Sequence, residues 1–252
     1  MKRRFLLSVV VLIILSLCLS ACSKEQILSV DDPALLEFPG LKWNSSIEEV
    51  KDNLNLKEEQ ILWDEMNQDE GVEYENWYLV VSDIHFFGLK AERARFIFVR
   101  YPGNDYGLMN IQLEFPEGTD ANTLKSAMQE VYGEGCDAPI QSYHFNEQGE
   151  LIADDMNSMV TPAYAAQGFP YYWYSPEKGT EVLSAEAQGR YVAYHTSGNS
   201  EHNPGLNRDG LLEYLEKTPL VRVSCMDWSN SDTCRVTFYA NHLLHFVQQF
   251  GE

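Results

Sequence analysis

Basic residues are scarce in this chain of 252: 18 Lys and Arg stand against 38 Asp and Glu, a formal net charge of −20. So acidic a surface repels phosphate backbones and argues against nucleic-acid binding. It also gains nothing from anionic lipid headgroups, which attract polybasic segments. Long apolar runs are missing apart from Phe5–Leu19, and that stretch is shorter than the roughly 20 residues a helix needs to cross the hydrocarbon core. There is no internal repeat, no low-complexity block and no clear interdomain linker. The chain has no Gly-x-Ser-x-Gly elbow, no His-Glu-x-x-His and no P-loop glycines with their lysine, which lowers the prior for an enzyme. Asp31-Asp32 and Asp154-Asp155 are isolated pairs, without the spacing of a calcium-binding hand. Neither cofactor nor metal is expected.

What the chain does have, at its start, is a sorting sequence. Lys2, Arg3 and Arg4 precede Phe5–Leu19, and the small residues Ser20 and Ala21 precede Cys22, the three-part order of a secretory signal. Leu19-Ser20-Ala21-Cys22 resembles the lipobox of bacterial lipoprotein precursors. The resemblance implies that residues 1–21 are removed and that Cys22 receives a diacylglyceryl group on its sulfur, with palmitate as a typical acyl chain. The mature protein would then be lipid-anchored on the extracytoplasmic face of the cell membrane. Two or three acyl chains anchor stably, since each buried CH₂ adds about 0.8 kcal/mol. A retained anchor helix is the alternative. Cleavage takes away three of the 18 basic residues and none of the 38 acidic ones, leaving 15 against 38 and a net charge of −23. That excess keeps a domain soluble above the membrane. The expected partners are the membrane, through the lipid on Cys22, and a protein of the envelope.

The remainder is long enough for one substantial domain. Residues 22–37 are mostly polar and broken by Asp31-Asp32-Pro33, so they read as a flexible tether before a single domain over 38–252. Within it a core module spans 38–135 and a C-terminal extension 136–252. Ser45 with Glu48, or Ser46 with Glu49, has capping-box spacing, and Ile47, Val50 and Leu54 follow with helical period. Strand-like runs come next at Glu73–Phe87, Arg93–Tyr101 and Met109–Phe115; in the last, Met109, Ile111, Leu113 and Phe115 alternate with polar residues, as on a sheet with one face on the core. Turn residues between the runs predict a meander. Thr119 or Asp120 then caps a second helix carrying Leu124, Ala127, Met128, Val131 and Tyr132 on one face, stopped by Gly133 and Gly135. The expectation is an α+β fold, an antiparallel sheet of this meander plus C-terminal strands, with two short helices packed on one face. Further strands are predicted near 142–152, 181–195, 220–225 and 234–239, and a short helix at 208–217. For 242–250 helix and strand both fit, and the strand is preferred because Ala240-Asn241 suits a tight turn.

The order Phe38-Pro39-Gly40-Leu41-Lys42-Trp43, Ser45-Ser46-Ile47-Glu48-Glu49-Val50, hairpin, third strand and helix ending Glu130-Val131-Tyr132-Gly133 resembles small α+β modules. These are the modules of SmpA-type outer-membrane-assembly lipoproteins and of β-lactamase-inhibitor-like proteins. The resemblance covers about 38–133 and implies a protein-binding module without catalytic apparatus.

Few side chains stand out as candidate site residues. With Cys22 given to lipid, a Cys225–Cys234 disulfide can close the hairpin between their strands; alternatively both thiols are small buried hydrophobes. Cys136 with His144 is the one nucleophile–base pairing that sequence proximity suggests, and it is very weak evidence. His242 and His245 share a face only if their segment is helical, and they lack the further ligands of a zinc site. The richest aromatic stretch is Tyr164, Phe169, Tyr171, Tyr172, Trp173 and Tyr174. Its rings either plug the end of the core, the preferred reading, or form an exposed platform in which Tyr171, Tyr172, Trp173 and Tyr174 bind a glycan, small ligand or partner. A glycan-binding protein or envelope hydrolase using 164–174 is therefore the alternative to a non-catalytic binding or assembly module.

Overall fold

A computed structural model describes residues 29–67, 74–137, 143–153, 170–198, 205–228 and 233–251. The expected signal segment, Cys22, Tyr164 and Phe169 lie outside the described residues. Folding begins inside the stretch expected as tether. Asp32 and Pro33 carbonyls accept the Glu37 and Leu36 N–H groups, the Glu37 carboxylate accepts the Asp32 N–H at 2.9 Å, and Leu36 and Glu37 are buried. The Asp31-Asp32-Pro33 break is thus the entry turn of the domain. Burial raises the Glu37 carboxyl, with Asp32 and Asp31 adding to it.

Helix α1 (Ile47–Asn53) starts at the second of the two expected capping boxes: Ser46 Oγ accepts the Glu49 N–H, and Glu49 accepts the Ser46 N–H. Strands β1 (Ile61–Asn67), β2 (Glu75–Phe86), β3 (Leu89–Arg100) and β4 (Gly107–Glu114) run antiparallel in sequence order. The core face carries Leu79, Val81, Ala94, Phe96, Phe98, Ile111 and Leu113, all at zero exposure. The register shifts by one residue where Ile97 and Phe98 meet β4, so Phe98 faces Leu108. Leu108 takes the core position expected for Met109. Helix α2 (Ala121–Tyr132) is capped by Asp120 and ends at Gly133, φ 78°.

The chain then forms a small hairpin, β5 (Tyr143–Phe145) with β6 (Leu151–Ala153). The last three strands, β7 (Tyr171–Tyr174), β8 (Arg222–Trp228) and β9 (Thr233–Tyr239), join the first sheet. Its order is β1-β2-β3-β4-β9-β8-β7, with every pairing antiparallel. The fold is α+β as expected, but among the described residues six α-helices rather than two serve it. The others are α3 (Gly179–Val182), α4 (Ala185–Thr196), α5 (Arg208–Lys217) and α6 (Asn241–Leu244), which runs on as a π-helix over His245–Phe250.

Two strand expectations fail for identifiable reasons. Residues 181–195 are helical because Ser184 caps the segment by accepting the Ala187 N–H, and Ala185, Glu186 and Gln188 are strong helix formers. Residues 242–250 have no place to return as a strand: Tyr239 of β9 already pairs with Arg222 on one side and Asn110 on the other. The chain leaves the sheet as a helix and packs Leu244, Phe246 and Phe250 inward.

Helices α1 and α2 cover the core face. Phe38, from the entry segment, is wedged there among Phe86, Phe96 and Phe238, at centroid distances of 5.4, 6.1 and 5.6 Å. Tyr132 of α2 donates to the Glu37 carbonyl at 2.7 Å, tying the entry segment to the helix above it. The later helices gather where β3 ends. Gly179 sits against Leu215 and Phe246 with no room for a Cβ, Tyr191 packs edge-on to Phe246 and Phe250, and Tyr101 meets His245.

Candidate functional site

An antiparallel sheet that is not closed has two edges, and each leaves a row of backbone N–H and C=O groups to be satisfied or used. Here the edges are β7 and β1, and they are finished in opposite ways.

Edge strand β7 carries the aromatic residues read as a binding platform. Tyr171, Tyr172 and Trp173 are exposed by only 5%, 9% and 2%, and Tyr174 is half-buried. Tyr171 and Trp173 enter the core, where Trp173 Nε1 donates to the Gly133 carbonyl at 2.8 Å. The Tyr171 hydroxyl accepts from Gln129 at 3.1 Å, and the Lys125 ammonium lies 3.9 Å from the centre of its ring. Tyr172 and Tyr174 stack on each other on the opposite face. The outer backbone of β7 is bridged as well, at Tyr172, which exchanges both N–H···O bonds with Cys136 at 2.8 Å. Gly135 makes that approach possible, since a Cβ there would stand 2.3 Å from the Tyr172 oxygen. Of the two readings, the preferred one, rings that plug the end of the core, fits Tyr171, Tyr172 and Trp173; the exposed platform does not.

Edge strand β1 is left open. Among the described residues it pairs only with β2. Leu62, Trp63 and Met66 are 56%, 50% and 46% exposed. The register jumps between Ile61 and Trp63, so Leu62 bulges outward and five residues, Trp63 to Asn67, continue as regular strand. Trp63 stacks on Tyr78 of β2 with centroids 6.4 Å apart. The inner side of the strand is fixed by Asp64, whose two oxygens take Trp77 Nε1 at 2.6 Å and the Lys51 ammonium of α1 at 2.8 Å. Electrostatically the segment is one-sided: from Glu58 to Glu75 the sequence has eight acidic residues and no basic one. Two of these are neutralised, Asp64 by Lys51 and Glu75 by Arg100. Glu58, Glu59 and Glu65 are exposed. This edge is not apparent from hydropathy because the bulge breaks the alternation; the cue is the Ile61-Leu62-Trp63 run just before a polar, glycine-containing stretch.

The other candidates resolve into structure. Cys225 faces Val236 and Cys234 faces Asp227, so the two thiols are diagonal rather than opposite. Diagonal neighbours are about 7–8 Å apart, beyond the usual Cα separation of a disulfide, about 4.4–6.8 Å. Both cysteines are buried and neither is in a disulfide, the alternative reading. Cys136 is held in the bridge to Tyr172 and His144 lies on the β5–β6 hairpin. A Ser-x-x-Lys spacing does occur at Ser175–Lys178, but the Ser175 hydroxyl donates to the Glu177 carbonyl and accepts the Val221 N–H, as a turn residue does. His242 and His245 are helical and share an aromatic box. Their Nδ1 atoms lie 3.3 Å from the Tyr214 hydroxyl and 3.0 Å from the Tyr101 hydroxyl, and the His195 ring is 5.8 Å from His245. Burial, with Arg222 nearby, pushes His242 down to about 4; burial, with His195 and His242 nearby, pushes His245 down to about 3. Among the described residues no group of three His, Cys, Asp or Glu side chains is placed to hold a metal. No described helix is long and apolar enough to cross a membrane.

Comparison with protein-family models, with curated proteins and with solved structures gives no match for the chain.

Proposed function

We propose that the chain is exported, lipidated on Cys22 and held on the extracytoplasmic face of the cell membrane, where it acts as a non-catalytic binding module of the envelope. The working surface in this reading is the open edge of β1. The observation that carries it is the set of three large apolar side chains, Leu62, Trp63 and Met66, half exposed on a strand with no outer partner among the described residues. Folded proteins ordinarily blunt such an edge with charged side chains, proline, a bulge or a covering element; β1 has the bulge at Leu62 and the carboxylates of Asp64 and Glu65, yet still exposes these three apolar side chains. The other edge of the same sheet buries its rings and is bridged at Tyr172, so the exposure of apolar side chains is particular to β1. The lipobox supports the address, and the missing catalytic signatures support the absence of chemistry.

Both halves are testable in cells. A palmitate analogue bearing a click handle should label the wild type and not Cys22→Ser, and the variant should leave the membrane fraction. A photo-crosslinking residue placed at position 63 should capture a discrete envelope protein, whereas the same residue at 186, on the exposed side of α4, should not. Absence of label on the wild type would remove the anchor; equal crosslinking from 63 and 186 would remove the β1 reading.

A further inference from the structure

Resting on that reading of β1, we infer that its occupant is an extended, basic and apolar segment of another protein, which adds to the sheet as an eighth strand. Three observations converge on this partner. The first is geometric: the edge of Trp63–Asn67 is regular strand with no outer neighbour among the described residues, and a strand laid about 4.8 Å away meets its unpaired backbone groups. The second is the side-chain layout. Trp63 and Glu65 point to one face and Asp64 and Met66 to the other, because Trp63 faces Val80, Glu65 faces Tyr78 and Met66 faces Trp77. An added strand with alternating residues therefore meets an aromatic ring and a carboxylate in turn on one face, and a thioether on the other. A basic side chain answers both the Glu65 charge and the π face of Trp63.

The third observation is charge, and it decides among occupants. With Glu58, Glu59 and Glu65 exposed and no basic residue between Glu58 and Glu75, a second copy of β1 is repelled. In an antiparallel self-pair centred on Trp63–Asn67, Glu65 of one copy stands opposite Glu65 of the other, and like charges facing across strands are destabilising. Anionic headgroups are repelled in the same way. The carboxylates thus act as a filter: they keep an otherwise adhesive apolar edge from pairing with itself, and they admit a cationic strand.

The experiment uses the full-length lipidated protein in detergent and fluorescently labelled heptapeptides. One alternates lysine or arginine with valine and phenylalanine; the second replaces every basic residue with glutamate; the third is the basic peptide N-methylated at alternate backbone nitrogens. The basic peptide should bind, and the acidic and methylated peptides should bind weaker by about tenfold or more. Leu62→Ser/Trp63→Ser/Met66→Ser should lose a similar factor, with circular dichroism unchanged. Glu58→Lys/Glu59→Lys/Glu65→Lys should invert the preference toward the acidic peptide. Equal binding of basic and acidic peptides, or of methylated and unmethylated ones, overturns the inference. A concentration-dependent dimer abolished by Trp63→Ser would give the edge to a second copy, and quenching of Trp63 by brominated lipids in proteoliposomes would give it to the membrane; either result overturns it too. If position 63 captures an envelope protein while the peptides show no basic preference, this inference falls and β1 remains the working edge. If position 63 captures nothing specific, the reading beneath it falls whatever the peptides do.

Discussion

The two edges of the seven-stranded sheet hold similar residues and do opposite things. Edge β7 presents Tyr171, Tyr172, Trp173 and Tyr174, and buries three of them below a tenth of their surface. Edge β1 presents Leu62, Trp63 and Met66, and leaves each about half exposed. The difference does not lie in the strands. It lies in what the rest of the chain brings to them: α2 and the Gly133–Cys136 corner close over β7, while α1 reaches β1 only from below, through Lys51 and Asp64. Aromatic content alone therefore does not locate a binding surface; the availability of a neighbouring segment to cover it does.

Substitutions can break this contrast at several points. The largest effect belongs to Trp173→Ala, which empties a core site and deletes the bond to the Gly133 carbonyl. A loss of about 3–5 kcal/mol in urea unfolding is expected. Acid should act next, on the aromatic box that holds His242 and His245. The His242 and His245 rings are held neutral in the folded chain, at about 4 and about 3, against about 6.5 when unfolded. Above pH 6.5 both states are neutral and nothing is lost. As the pH falls below that value the unfolded chain takes up protons first, so stability declines toward the folded values, by on the order of 2 kcal/mol per ring at pH 5. Thermal melts from pH 7 to 5 should show the decline, and His242→Gln/His245→Gln should flatten it. Glu37, raised by burial, opposes the decline at the acid end of the range.

Gly135→Ala sharpens the comparison directly. Its Cβ would stand 2.3 Å from the Tyr172 oxygen, so the Cys136–Tyr172 bridge must part, at a cost of about 1–3 kcal/mol. The variant should gain β1-like stickiness at β7, seen as new self-association in sedimentation. Trp63→Ala, by contrast, should change stability by no more than about 0.5 kcal/mol, the same residue type costing little on one edge and much on the other. Smallest of all is the response to reductant. Cys136, Cys225 and Cys234 are not in disulfides, so dithiothreitol should leave the melting temperature unmoved, and a thiol titration of the unfolded Cys22→Ser protein carrying no signal peptide should count three.

The legible parts of the fold are those in which local chemistry and global position agree. The Ser46–Glu49 box, the Asp120 cap, the Gly133 stop and the alternation Ile111, Leu113, Phe115 each decide their element without help from elsewhere. Residues 242–250 are different: their pattern fits helix or strand, and the choice is made by the occupied flanks of β9, a fact about strand order that no local window contains. The same holds for Met109, displaced by a bulge, and for Cys225 and Cys234, whose pairing would need a register two residues away from the one formed. Of the candidate site, the aromatic richness of 171–174 is plain in the sequence, but its burial depends on α2 and on Gly135 some 40 residues earlier. The open edge is harder still to read, because an edge is defined by what fails to pair with it.

Hydrogen exchange of the full-length protein, with and without the basic heptapeptide, tests the contrast most directly. Amides of 61–67 should exchange fast in the free protein and gain protection with the peptide, while those of 171–174 should be protected throughout and unchanged by it. Protection gained at 171–174 with none at 61–67 would contradict the assignment of β1 as the working edge.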